Sequence, residues 1–170
     1  MALLASITAT LSATLSSGLD LQTVSVPGNL AAAFGFDSTL GNGATVNAAD
    51  MVWGDTNTLA PSANVDLDFA GTLVGALGTT LTFARLKAIM VRAAAGNTNN
   101  VVMSRGASNG VPIFGSASNS MPILPGGTFL WVAPGAGVIV TPATGDLINF
   151  ANSGAGTSVT YDIFVIGASA

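Results

Sequence analysis

The chain has 170 residues, room for one domain around a single core, and 7% of them are charged while 49% are hydrophobic. All eight acids are Asp, the four bases are three Arg and one Lys, and Glu, His and Cys are absent; that excludes Ser-His and Cys-His nucleophile pairs, imidazole and thiolate metal sites, disulfides and a histidine pH switch. A net charge of −4, with every base between residues 85 and 105, argues against nucleic-acid binding, and so few charges imply a surface solvated by Ser, Thr and Asn and partly buried in an assembly.

Helix surfaces draw on Glu, Lys, Gln and Arg, and their scarcity predicts a chain without long exposed helices. The opening "MALLASITATLSATLSSG" lacks a basic start and an unbroken apolar run, so it reads as mature sequence, and no stretch approaches the roughly 20 apolar residues that span a bilayer. From Ala5 to Leu15 apolar residues alternate strictly with Ser and Thr, which predicts a strand about 36 Å long at about 3.3 Å per residue. Such a strand belongs either to its own sheet or to an arm, residues 1–16, that docks on a neighbour through Ile7, Leu11 and Leu15.

"LQTVSVP" reads as a strand stopped by Pro27, and "NLAAAFGFD" as a short strand or a helical turn. Residues 38–63 are dense in Gly, Asn, Thr and Asp and read as a loop, with Trp53 as its anchor or as a ligand-stacking ring. In "NVDLDFAG", Val65, Leu67 and Phe69 share one face and Asp66 and Asp68 the other; a solvated face fits better than a Ca²⁺ site, which needs a spaced loop of ligands. "TLTFARLKAIMVRAAA" carries Leu86, Ala88 and Met90 on one side and Ile89 and Val91 on the other, as a central strand covered on both faces would.

"GNTNN", residues 96–100, reads as a hairpin connection into "VVMSR". Arg85, Lys87 and Arg105 would then share a small basic patch facing an acidic protein surface or the chain's own Asp residues, with Arg92 on the opposite face. Downstream, "VPIFG", "MPILPGG", "TFLWV", "VIVTPATG", "DLINFANSGAG" and "TSVTYDIFVIG" are short runs punctuated by Gly, Pro and Asn. About ten strand candidates predict an all-β fold: one antiparallel β-sandwich domain over residues 1–170, jelly-roll-like, with the extended N-terminal strand or arm.

Little chemistry remains. "GDTN" differs from the aspartic-protease Asp-Thr-Gly by Asn57, and a Ser-Lys dyad would need Lys87 from an apolar strand. The phosphate-binding glycine loops lack their following Lys. The residues therefore predict no enzyme, no cofactor and no metal site.

"LTFARLKAI", "AAAGNTNNV", "PGGTFLW", "GDLINFANSGAG" and "VTYDIFVIG", spread over residues 66–103 and 121–169, together with the upstream "NAADMVWGDTNTLA", resemble a family of small structural proteins encoded by tailed bacteriophages. The resemblance implies a virion component. It implies in particular a decoration or cement protein on the capsid: a homo-oligomer, expected to be a trimer, whose partner is the major capsid protein, without nucleic-acid or membrane contact. The alternative is a tail or head-fibre component that binds a host surface glycan, with Trp53, Trp131 or Tyr161 as stacking platforms; Trp131 groups with Phe129 and so is expected in the core.

Overall fold

The computed structural model describes residues 2–10, 36–116 and 118–170. The strand expected in "LQTVSVP", most of "NLAAAFGFD", read as a strand or a helical turn, and the arm residues Leu11 and Leu15 lie outside the described residues.

Fourteen strands and no helix occur among the described residues. They are β1 (Ala5–Ala9), β2 (Phe36–Asn42), β3 (Ala48–Ala49), β4 (Met51–Leu59), β5 (Asn64–Asp68), β6 (Leu73–Val74), β7 (Thr80–Leu81), β8 (Arg85–Ala93), β9 (Val101–Arg105), β10 (Ser120–Ile123), β11 (Thr128–Val132), β12 (Val138–Ile139), β13 (Leu147–Asn152) and β14 (Val159–Ala168). Two antiparallel sheets form the sandwich. The front sheet runs β11-β8-β14-β4, with β12 alongside β8, and the back sheet runs β10-β9-β13-β5. Six connections, β4 to β5, β5 to β8, β8 to β9, β10 to β11, β12 to β13 and β13 to β14, each carry the chain across to the other sheet, and the first of the eight main strands pairs with the last. This is the jelly roll: a long hairpin rolled up so that both inner faces share one core.

The crossing corrects one expectation. "GNTNN" is not a hairpin, because β8 and β9 lie in different sheets. Its asparagines instead bind the sandwich end together. Asn97 Nδ2 donates to the Thr160 carbonyl at 2.9 Å while its Oδ1 accepts from the Thr160 amide at 2.9 Å, and Asn99 Nδ2 donates to Asn152 Oδ1 at 3.1 Å. The Thr160 amide thus finds a side-chain acceptor, and its carbonyl accepts from the Ala94 amide at 3.0 Å as well.

The core follows from alternation. Ile89, Val91 and Ala93 of β8 meet Val159, Tyr161, Ile163 and Val165 of β14, with Met103, Ile148 and Phe150 across from them in the back sheet. Phe150 and Tyr161 stack with ring centres 4.8 Å apart at 14°, joining the two sheets. One face assignment fails: Leu86 is in this core, not beside Ala88 and Met90. The cause is a bulge. Ile166 pairs with Ala88 but Gly167 pairs with Leu86, so Lys87 is an extra residue in β8 and every residue before it changes face. Arg85 thereby returns to the same outer side as Arg92, against the expectation that they point apart.

Residues 38–63, expected to be one loop, contain most of β2, all of β3 and β4, and the turn after them. β1, β2 and β3 make a third, small sheet, in which Ala5 to Ala9 pair with Leu40 to Phe36. Its inner residues Ala5, Ile7, Leu40 and Ala49 pack on Ala88 and Ile166, covering part of the outer side of the front sheet. Conversely, "VPIFG" is no strand: residues 112–116 turn, and only Val111 ties into the back sheet, donating its amide to the Leu147 carbonyl at 2.9 Å.

Candidate functional site

The expected basic patch does not form. Arg105 lies at the end of β9 in the back sheet and donates from Nε to the Gly110 carbonyl at 2.9 Å. Arg85 and Lys87 lie in the front sheet, and both turn to main-chain oxygens: Arg85 Nη1 donates to Ala136 at 3.2 Å, and Lys87 Nζ donates to Gly135. The Lys87 stem passes Gly137, which holds a φ of 70° and where a Cβ would stand 3.0 Å from Lys87 Cδ. Lys87 is fully buried, and that burial, followed by the nearby Arg85 charge, pulls its pKa below the usual lysine value. No serine hydroxyl bonds to it among the described residues, so the side chain serves the 133–137 segment.

Arg92 holds the single ion pair among the described residues, from Nη2 to Asp162 Oδ2 at 2.7 Å. Thr56 Oγ1 donates to the other carboxylate oxygen at 2.8 Å. The Thr56 hydroxyl and then the Arg92 guanidinium hold Asp162 below the usual carboxylate range. In the back sheet Asp66 Oδ1 accepts from Asn149 Nδ2 at 2.8 Å, while Asp68 Oδ1 accepts from the Ala70 amide at 2.8 Å. The two carboxylates are thus engaged separately, one across the sheet and one in its own turn.

The expected stacking platforms lie inside. Trp53 is 8% exposed and meets Phe69 edge-on at 6.5 Å, so it anchors the core from β4 and offers no free ring face. Tyr161 is fully buried, and burial, with a smaller push from Asp55, raises its hydroxyl above the ordinary value. Trp131 is half-buried against the same core. Ile7 is buried within its own chain, over Ala88 and Ile166.

What alternation left unremarked is the order on the outer side of the front sheet. The pairing registers set three rows across its strands. Thr128, Arg92, Asp162 and Thr56 form a polar row; Leu130, Met90, Phe164 and Gly54 form the next; Val132, Ala88, Ile166 and Val52 form the third. The small sheet covers the centre of the third row, while Leu130, Met90 and Phe164 stand 40%, 41% and 43% exposed. Their hint in the sequence was Phe164, an aromatic on the polar side of an otherwise alternating strand.

No family model, curated protein or solved structure matches the chain.

Proposed function

We propose that the protein is a non-catalytic structural component of a tailed-bacteriophage virion, a decoration or cement protein on the capsid. It acts as a homo-oligomer, a trimer, that joins neighbouring major capsid protein subunits. The observation that supports this reading most is the surface itself. Leu4, Val46, Val74, Leu77, Leu124 and Ile139 are each more than half exposed, on a molecule with one ion pair among its described residues. Burying such groups against a neighbouring subunit would remove apolar surface from water. The polar groups support the same reading, because the basic side chains are turned to carbonyls or to Asp162 instead of converging on a reaction centre.

The mechanism is burial of surface. A contact of about 1,600 Å² is sufficient for a stable complex, and symmetric copies add avidity. Light scattering across a hundredfold dilution should give one concentration-independent oligomeric mass, and the oligomer should bind undecorated heads and raise the temperature at which they rupture. A monomer at every concentration that leaves heads unchanged overturns the reading.

A further inference from the structure

We propose that the hollow around Phe164 on the outer side of the front sheet binds a neutral saccharide, with a pyranose ring stacked on Phe164 and its hydroxyls held by Arg92, Asp162 and Thr56. The site goes beyond the capsid reading and does not depend on it.

The ring is presented by its neighbour. Phe164 and Gly54 face each other across β14 and β4, and a Cβ at Gly54 would stand 3.1 Å from Phe164 Cδ2. The missing side chain lets the ring lean over the adjacent strand, with 43% of the residue open to solvent. An aromatic surface of this kind suits the C–H face of a sugar, which is apolar enough to stack and too polar to be buried in a core.

The polar row next to it is already organised. Arg92 Nε and Nη2 donate to Asp162 Oδ2 at 3.1 and 2.7 Å, and Thr56 Oγ1 donates to Oδ1 at 2.8 Å. Each charge is cancelled within the pair, so an ionic ligand would have to break it, whereas hydroxyl groups can join it. Arg92 Nη1 makes no bond among the described residues and is a donor for a ligand oxygen. The hollow occupies about 500 Å³ and is lined by Gly54, Thr56, Met90, Arg92, Asp162 and Phe164, among others. A second hollow of about 240 Å³ shares Met90 and Phe164 and is bounded by Ser6 and Thr8 of β1. Phe164 therefore stands between two adjoining spaces, which suits a disaccharide or longer chain.

Saturation-transfer NMR tests this directly. The probes are methyl β-glucoside, methyl β-galactoside, methyl α-mannoside, N-acetylglucosamine, maltose and lactose, each at about 10 mM, a range that detects weak sites. At least one should receive saturation concentrated on the C–H protons of one ring face. Phe164→Ala should weaken that binding by at least about tenfold while Phe164→Tyr keeps it, both with unchanged melting temperature. Gly54→Val, which displaces the ring without removing it, should weaken binding too. Failure of every probe to bind the wild type overturns the proposal, as does equal binding by Phe164→Ala. Self-association of the wild type that Phe164→Ala abolishes, without saccharide binding, would make the ring a protein contact and overturn it also. Head binding read on the same variants separates this outcome from failure of the capsid reading.

Discussion

The two outer faces of the sandwich are made by the same alternation, yet they differ in their middle rows. On the back sheet Asp66, Asn149, Ser104 and Ser120 lie in one row across four strands, and Asn149 bridges to Asp66. On the front sheet the corresponding positions hold Leu130, Met90 and Phe164, with a small sheet laid over the row beyond. A jelly roll needs only its inner faces apolar; its outer faces are free to differ. The back row presents polar side chains at the surface, and the front row leaves apolar side chains part-exposed beside the small sheet.

The harshest way to break this comparison is to remove what both faces share. Phe150→Ala takes away the ring stacked on Tyr161 and should cost about 3–5 kcal/mol, seen as one cooperative loss in urea unfolding. Less severe is Ile7→Ala, which should cost about 2 kcal/mol and raise hydrogen exchange in residues 5–9 and 36–42, leaving the back sheet protected. If back-sheet amides exchange faster to the same extent, the small sheet is not a separate cover on the front.

Smaller still is Lys87→Met. It removes a buried charge that no carboxylate pairs among the described residues, at the cost of the Gly135 bond, and the relief should exceed that cost by about 1 kcal/mol at neutral pH. The sign follows from the depressed pKa: the charged form is penalised in the folded state at neutral pH, and the penalty disappears as pH rises towards the ordinary value of 10.5. The gain measured by thermal melting should therefore shrink at high pH.

The finest test concerns Asp162. Its folded-state pKa is depressed, so its contribution is present above the ordinary value of 3.8 and is lost as pH falls through the lower folded value. Asp162→Asn should flatten that acid limb of the melting curve. With no histidine in the chain, stability and assembly should both stay level between pH 6 and 8. A transition near pH 6.5 in the mass measured by light scattering would contradict this.

The sandwich was legible because β8, β13 and β14 alternate or run apolar and are bounded by Gly, Pro and Asn. β4 was hidden by its own position. As an edge strand in the front sheet it buries Trp53 and Leu59 and turns Gly54, Asp55 and Thr56 to the surface, residues that elsewhere make loops. "GNTNN" was correctly read as a turn and wrongly as a hairpin, because the same residues serve a connection within a sheet or between two. Lys87 shows a different kind of limit. A single inserted residue reverses the faces of everything before it, and nothing in "ARLKAIM" distinguishes the bulge from a regular strand. For the candidate site, size misdirected attention: Trp53 and Tyr161 were the obvious rings, yet their odd-numbered places on β4 and β14 face the core, and the outward ring is Phe164.

The position of β14 has a consequence for how the molecule is made. Residues 159–168 lie between β4 and β8 and pair with both, Val159 with Leu59 and Tyr161 with Ala93. Contacts so distant along the chain are slow to find, because loop closure precedes any gain from them. A chain emerging from the ribosome carries β4 and β8 with unpaired edges until that segment arrives, a period in which chaperones or neighbouring nascent chains compete for them. The decisive step of folding therefore waits until residues 159–168 have been made, and yield in a cell should respond to synthesis rate and temperature.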